Sequence, residues 1–330
     1  MNRHSSAPGK DKGGSKFPKL DLSAVKTYPI AARHSKVKTE QLAHVHEVGS
    51  SFASFMDSLP QVLKATELRE LVDCIVEACR RSRPVIAMMG AHGIKCGLNP
   101  VIIDLMRQQV ITGVALNGAG AIHDVELAYW GQTSEEVAEG LRDGSFGMAR
   151  ETGEILNGVA KQAAGTEMGF GEALGKRICA DRPPHEHLSI LAAGYQCDVP
   201  VTVHVALGTD IVHQHPSADG AAIGEASLRD FRVLAHQVAH LGDGGVALNL
   251  GSAVVLPEVF LKAITVARNL GLPAFGLVTA NFDMVQHYRP RVNVVERPTQ
   301  AGGKGFQFTG HHEIMIPLLA AAVKEKLRAK

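Results

Sequence analysis

Nowhere in the 330 residues does an apolar run approach the length of about 18 that a membrane-spanning helix needs, so no membrane partner is expected. No basic segment followed by an apolar stretch opens the chain as a secretion signal. The five cysteines, Cys74, Cys79, Cys96, Cys179 and Cys197, are odd in number and contain no CxxC pair, which argues against a disulfide framework and for a reducing, cytoplasmic setting. An excess of either charge is missing too, since 34 Lys plus Arg stand against 33 Asp plus Glu. That balance gives no reason to expect nucleic acid or an anionic surface as partner, so any electrostatics is local. Also absent are a helical H-E-x-x-H metal motif, a complete G-x-G-x-x-G and any short-period repeat.

What the chain does have is 45% hydrophobic residues, enough to bury a large core. Residues 1–20 are rich in Lys, Gly, Ser and Pro, the composition of a disordered basic tail. Residues 21–82 form an N-terminal extension whose apolar spacing from residue 49 onward is helical. From 83 to 330 the rhythm alternates. Strand-like runs such as "RPVIAMMG", "ITGVALNG", "VPVTVHVAL", "GGVALNLG" and "PAFGLVTANF" are separated by helical patterns, with "RVNVVER" read as extended before the last helix. Strands that are apolar throughout and divided by helices predict an α/β fold, a doubly wound, mostly parallel Rossmann-like sheet with helices on both faces.

In such sheets ligands bind at the carboxyl ends of the strands, which directs attention to the connections there. Glycine, Asp and Asn are ordinary turn residues, so each connection alone has a plain explanation. Gly118 and Gly120 in "NGAGAIHD" resemble a clipped dinucleotide fingerprint, with His123 where the third Gly belongs. His213 and His215, two apart, lie near Asp210 and Asp219, and such a set either binds a divalent metal or hydrogen-bonds a ligand. Lys304 follows two glycines, and Lys95 sits at the first strand end. A lysine in a shielded pocket is held neutral and forms imines, whereas a solvated loop lysine does neither. In "TSEEV", Thr133 and Glu136 make a capping-box pattern, and Tyr129 and Trp130 at a helix end read as core.

In order along the chain, four segments resemble the deoxyhypusine synthase family over residues 80 to 328: "NGAGAIHDVEL", "ADGAAIGEA", "NLGSAVVLPEVF" and "ERPTQAGGKG". The resemblance implies a Rossmann-like NAD-dependent transferase acting on an amine or polyamine, with an aminobutyl group carried as an imine on Lys304. It implies NAD contacts from Gly118, Gly120, Asp124, Asp219, Gly220 and Ser252, and substrate contacts from Glu225, Asp283 and His123. A homotetramer is implied as well. The sequence departs from the family where Pro257 replaces a catalytic His and where Thr299 and Gln300 replace an acidic pair. His213 and His215 lie outside the matching segments and are candidates to replace that acid-base group. Two further readings stay open. One is a metal-assisted hydrolase built on His213, His215 and Asp210 with His92 or His123, and the other is a non-catalytic oligomeric binding protein on the same scaffold.

Overall fold

The computed structural model describes residues 16–328, so most of the expected basic tail, residues 1–15, lies outside it. The chain divides into two units, the first ending at Gln41 and the second beginning at Leu42. In the first, residues 16–41 contain only two single 3-10 turns, Ile30–Ala32 and Thr39–Gln41, and bury no side chain.

The second unit holds all the long elements. They run α1 (Phe52–Ser58), α2 (Leu63–Arg80), β1 (Val85–Met89), α3 (Ala91–Lys95), α4 (Asn99–Arg107), β2 (Gly113–Asn117), α5 (Gly118–Trp130) and α6 (Val137–Asp143). Then come α7 (Arg150–Ala164), α8 (Phe170–Asp181), α9 (Ile190–Gln196), β3 (Val201–His204), α10 (Gly220–Ala239), β4 (Val246–Leu250) and α11 (Val255–Asn269). The chain closes with β5 (Val278–Asp283), β6 (Lys304–Thr309) and α12 (His312–Arg328). The six strands are all parallel and lie in the order β3-β2-β1-β4-β5-β6, so the doubly wound Rossmann-like expectation holds.

Strand alternation builds two cores. Val85, Ala87 and Met89 of β1 pack with Leu71, Ile75 and Val76 of α2 and with Leu319 and Val323 of α12 on one face. Ile86 and Met88 pack with Leu234 and Val238 of α10 and with Phe260 and Ile264 of α11 on the other. Because side chains alternate along a strand, one short apolar run feeds both cores. Buried Asp230 of α10 ties β3 to α8 by accepting from the amides of Val203 (2.7 Å) and Gly171 (2.8 Å). Burial lifts its pKa to about 7.

Two segments differ from the sequence expectation. "RVNVVER" is a π-helical turn spanning Pro290–Glu296, not a strand. Its valines read as strand-forming, yet the wide turn buries Val292, Val294 and Val295 together, and tertiary packing outweighs β propensity. "GGKGFQFTG", whose glycines are ordinary turn residues, contains edge strand β6, in which Phe306 and Phe308 alternate inward. The glycines concealed that period-two signal. Among the described residues, no helix is long and apolar enough to cross a membrane.

Candidate functional site

The carboxyl ends of β2 and β3 open onto a cleft of about 690 Å³. Its walls come from the end of α3 (Lys95), one face of α5 (Ala119, Ile122, His123, Glu126, Trp130), the 132–135 turn, the start of α7 (Glu151, Thr152) and the segment after β3 (Thr209, Asp210, Ile211). His123 and Glu126 face it together because residues three apart on a helix share a face. The turn that brings Thr133 and Glu135 in begins at Gly131 (φ +67°) and holds Ser134 at φ +71°, a conformation that non-glycine residues rarely adopt.

Inside the cleft a hydrogen-bonded chain joins three side chains. Thr133 donates its hydroxyl to Glu126 Oε2 and sits 2.5 Å from His123 Nδ1. With its own proton given to Glu126, the hydroxyl accepts from Nδ1–H, which fixes the tautomer and leaves Nε2 as an acceptor. Thr152 donates to Glu126 Oε1 at 3.1 Å. Burial, reinforced by the positive charge of Lys95, pushes His123 down to about 4, so the ring is neutral at physiological pH. The expected capping box is not made: Glu136 caps α6 with its own carboxylate, accepting from Ala138 N, and Thr133 turns to the cleft instead.

Gly118 and Gly120 start α5, where Asn117 caps the helix by accepting from Gly120 N at 2.8 Å. That helix start is already filled by an anion. The Asp210 carboxylate lies against Gly118, where a Cβ would stand 1.9 Å from its Oδ2, and the backbone of Ala119 acts to lower its pKa against the larger rise that burial causes. The glycine admits a carboxylate of this chain where the fingerprint would admit a phosphate. With Asp210 in place the residues at α5 do not fit a dinucleotide pyrophosphate.

His213 and His215 do not converge on a metal. His213 Nδ1 accepts from the amides of Gly208 (3.1 Å) and Asp210 (3.2 Å), and its Nε2 lies 3.9 Å from Asp210 Oδ2. His215 lies over Gly153 and donates through Nε2 to the Gly147 carbonyl at 2.7 Å. Among the described residues no three His, Cys, Asp or Glu side chains are grouped to hold an ion. The metal-assisted reading is therefore corrected: both rings brace the segment after β3. Neither ring lines the 690 Å³ cleft. His204 is buried beside Thr202 Oγ1 (2.9 Å), and desolvation drives it down to about 3.

Lys304 is the second correction. It opens β6 opposite Val278, at the amino end of the sheet, and its side chain is 61% exposed. An ion pair with Glu70 raises its pKa. Neither the shielding nor the depressed pKa required of an imine-forming lysine is present there. Lys95 is the lysine that lines the cleft.

The remaining residues implied by the resemblance are spread over several elements. Asp124 is wholly buried and holds Ser189 Oγ (2.6 Å), the Ile190 and Leu191 amides (2.8 and 3.1 Å) and Asn99 Nδ2 (3.0 Å), which fastens the start of α9. Burial raises it to about 6, and it presents nothing to a cofactor. Asp219 caps α10 by accepting from Ala221 and Ala222, with Gly220 as the first helical residue. Glu225 pairs with Arg229 at 3.0 Å. Ser252 accepts from Leu256 at the start of α11, in which Pro257 is buried, and Asp283 ends β5. Of the implied set, the structure brings His123 into the cleft beside Lys95 and Asp210.

Sequence reasoning missed Glu126, Thr152 and the placement of Trp130, which is 41% exposed at the cleft rather than in the core. The His-x-x-Glu spacing at 123–126 was the available signal.

Neither a known protein family nor a curated protein matches the sequence. Among solved structures, the chain is similar to unliganded AgrE (TM-score 0.53, 12% identity, covering 82% of this chain and 34% of that one). It is also similar to a conserved putative LOR/SDH protein from Methanococcus maripaludis (TM-score 0.52, 14% identity, covering 81% and 71%). The chain thus spans about a third of the length of AgrE. AgrE has also been solved as a ternary complex with ornithine and NAD+. A putative deoxyhypusine synthase from Entamoeba histolytica aligns at a TM-score of 0.48 and 8% identity, a likeness too slight to argue from. At these identities the shared feature is the Rossmann-like fold.

Proposed function

We propose that the chain is an NAD-dependent enzyme acting on a small amine or amino acid bound in the cleft at the carboxyl ends of β2 and β3. The observation that carries this reading is the chain from Glu126 through Thr133 to His123. It orients a neutral imidazole, with Nε2 unprotonated, beside a carboxylate in a cleft at the end of the sheet where α/β enzymes bind their ligands. The shared fold with AgrE, a protein solved with ornithine and NAD+, supports the same class. In this reading Glu126 attracts the amine, and His123 accepts a hydrogen bond from the substrate.

NAD supplies hydride transfer when bound. Its pyrophosphate would compete with the Asp210 carboxylate for the start of α5. The transfer of an aminobutyl group through an imine on Lys304 is not carried into the proposal, since that side chain is exposed and paired with Glu70.

The experiment is thermal unfolding of the full chain with NAD+, NADH, NADP+ and NADPH. A ligand at 100 times its Kd stabilises by about 2.7 kcal/mol. A rise in Tm with one of the four is expected, and no shift with any of them sinks the cofactor.

A further inference from the structure

We propose that the cleft is built for a small zwitterion, a molecule with one ammonium and one carboxylate, and that Glu126 seats the ammonium while Lys95 faces the carboxylate. The inference rests on the cleft being the substrate side of the proposed enzyme, and it narrows the substrate from amines in general to amino acids.

Four acids line the cleft, and their partners differ. Asp210 is committed to the start of α5 and to His213. Glu135 accepts from the Gly147 amide at 2.9 Å, and Glu151 pairs with Arg150 at 2.9 Å. Glu126 is different: its side chain is only 14% exposed, yet both oxygens receive neutral hydroxyl donors, from Thr133 and Thr152. Its ionisable neighbour His123, 3.8 Å away, is held neutral. A carboxylate withdrawn from water with hydroxyls alone is half of a charge-assisted pair, and an ammonium N–H completes it.

Lys95 provides the opposite pole. Exposed at the end of α3, it makes no ion pair within 4 Å among the described residues, and it lines the same cleft as His123, whose pKa its positive charge helps to lower. A diamine of similar length would bring one cation to Glu126 and the other toward Lys95. A dicarboxylate would meet the mirror problem at Glu126. Only a molecule with one charge of each sign satisfies both poles, and like-charge contact in a partly desolvated cleft costs the other two.

The test is calorimetric titration of the full-length protein with a matched five-carbon set: 5-aminopentanoate and L-norvaline as zwitterions, cadaverine as dication and glutarate as dianion. At least one zwitterion should bind ten times or more tighter than cadaverine and glutarate. Glu126→Gln and Lys95→Met should each weaken that zwitterion by tenfold or more, while Lys304→Met leaves it unchanged. Cadaverine or glutarate binding as tightly as both zwitterions, or none of the four binding, overturns the inference. The two variants remove opposite charges from different elements, so a folding defect in one leaves the other decisive. Zwitterion binding without any nicotinamide dinucleotide shift would sink the cofactor and leave the zwitterion, and the reverse result would sink the zwitterion alone.

Discussion

Lys95 and Lys304 look alike in sequence, each close to glycines in an apolar neighbourhood, and the fold sends them to opposite ends of the sheet. Lys95 ends α3, just past the carboxyl end of β1, and lines the cleft. Lys304 begins β6 at the amino end and pairs in the open with Glu70. The difference lies in the direction of the chain at each residue. A strand followed by a lysine places it where parallel sheets bind ligands, and a lysine followed by a strand places it at the other end.

The same contrast separates two anions at the β2–α5 turn, the phosphate that glycines admit in a dinucleotide fingerprint and the carboxylate that is there. The largest expected effect tests this directly. Gly118→Ala puts a methyl group 1.9 Å from Asp210 Oδ2, and overpacking of that kind costs about 1–3 kcal/mol. Chemical denaturation should show most of that loss recovered in the double variant Gly118→Ala, Asp210→Ser. If the double variant is as unstable as the sum of the two singles, the glycine serves something other than Asp210.

That outcome bears on how much was legible in the sequence. The alternation of apolar strands and helices was plain, because burial on both faces of a parallel sheet leaves no polar positions to blur it. The connections after β1, β2, β3 and β4 were located by their turn residues. What could not be read was which side chain fills which turn. Asp210 lies 92 positions from Gly118, and nothing local to either predicts that they touch. Glu126 was overlooked for a related reason: a helical acid with no visible partner reads as solvated, and its partners Thr133 and Thr152 arrive from a turn and a later helix. His213 and His215 were over-read, because spacing shows that two rings are neighbours but not that one of them is spent on backbone amides.

Removing the competing anion is the next effect in size. In Asp210→Ser the helix start keeps its amides and loses the carboxylate, so NAD+ and inorganic pyrophosphate should bind about tenfold tighter, equivalent to ~1.4 kcal/mol. Calorimetry on both proteins decides it. Unchanged or weaker binding of both ligands in the variant shows that α5 is not the phosphate seat, and the dinucleotide would have to be sought at another strand end.

A smaller effect separates the lysines by stability. Lys304→Met removes one exposed ion pair, worth under about 1 kcal/mol, and should shift the denaturation midpoint little. A loss well beyond that would give Lys304 a structural weight that its exposure does not account for.

The smallest effect is a titration, and its sign follows from two causes of unequal size. His123 is pushed down from 6.5 to about 4, first by burial and second by the charge of Lys95. A base whose folded pKa is depressed adds stability that is complete above the unfolded value and is lost as pH falls from about 6.5 toward 4. In Lys95→Met the second cause disappears and the first remains. The ring resonances of His123, followed by NMR, should therefore titrate at a higher pH than in the parent, yet still below 6.5. The acid-side loss of stability from this residue should shrink in step. If His123 titrates at an ordinary histidine pKa once Lys95 is gone, the charge was the dominant cause and the cleft wall is wetter than its packing indicates. If removing Lys95 changes nothing, the lysine is too far from His123 to share a ligand with Glu126, and the two poles of the cleft would no longer form one site.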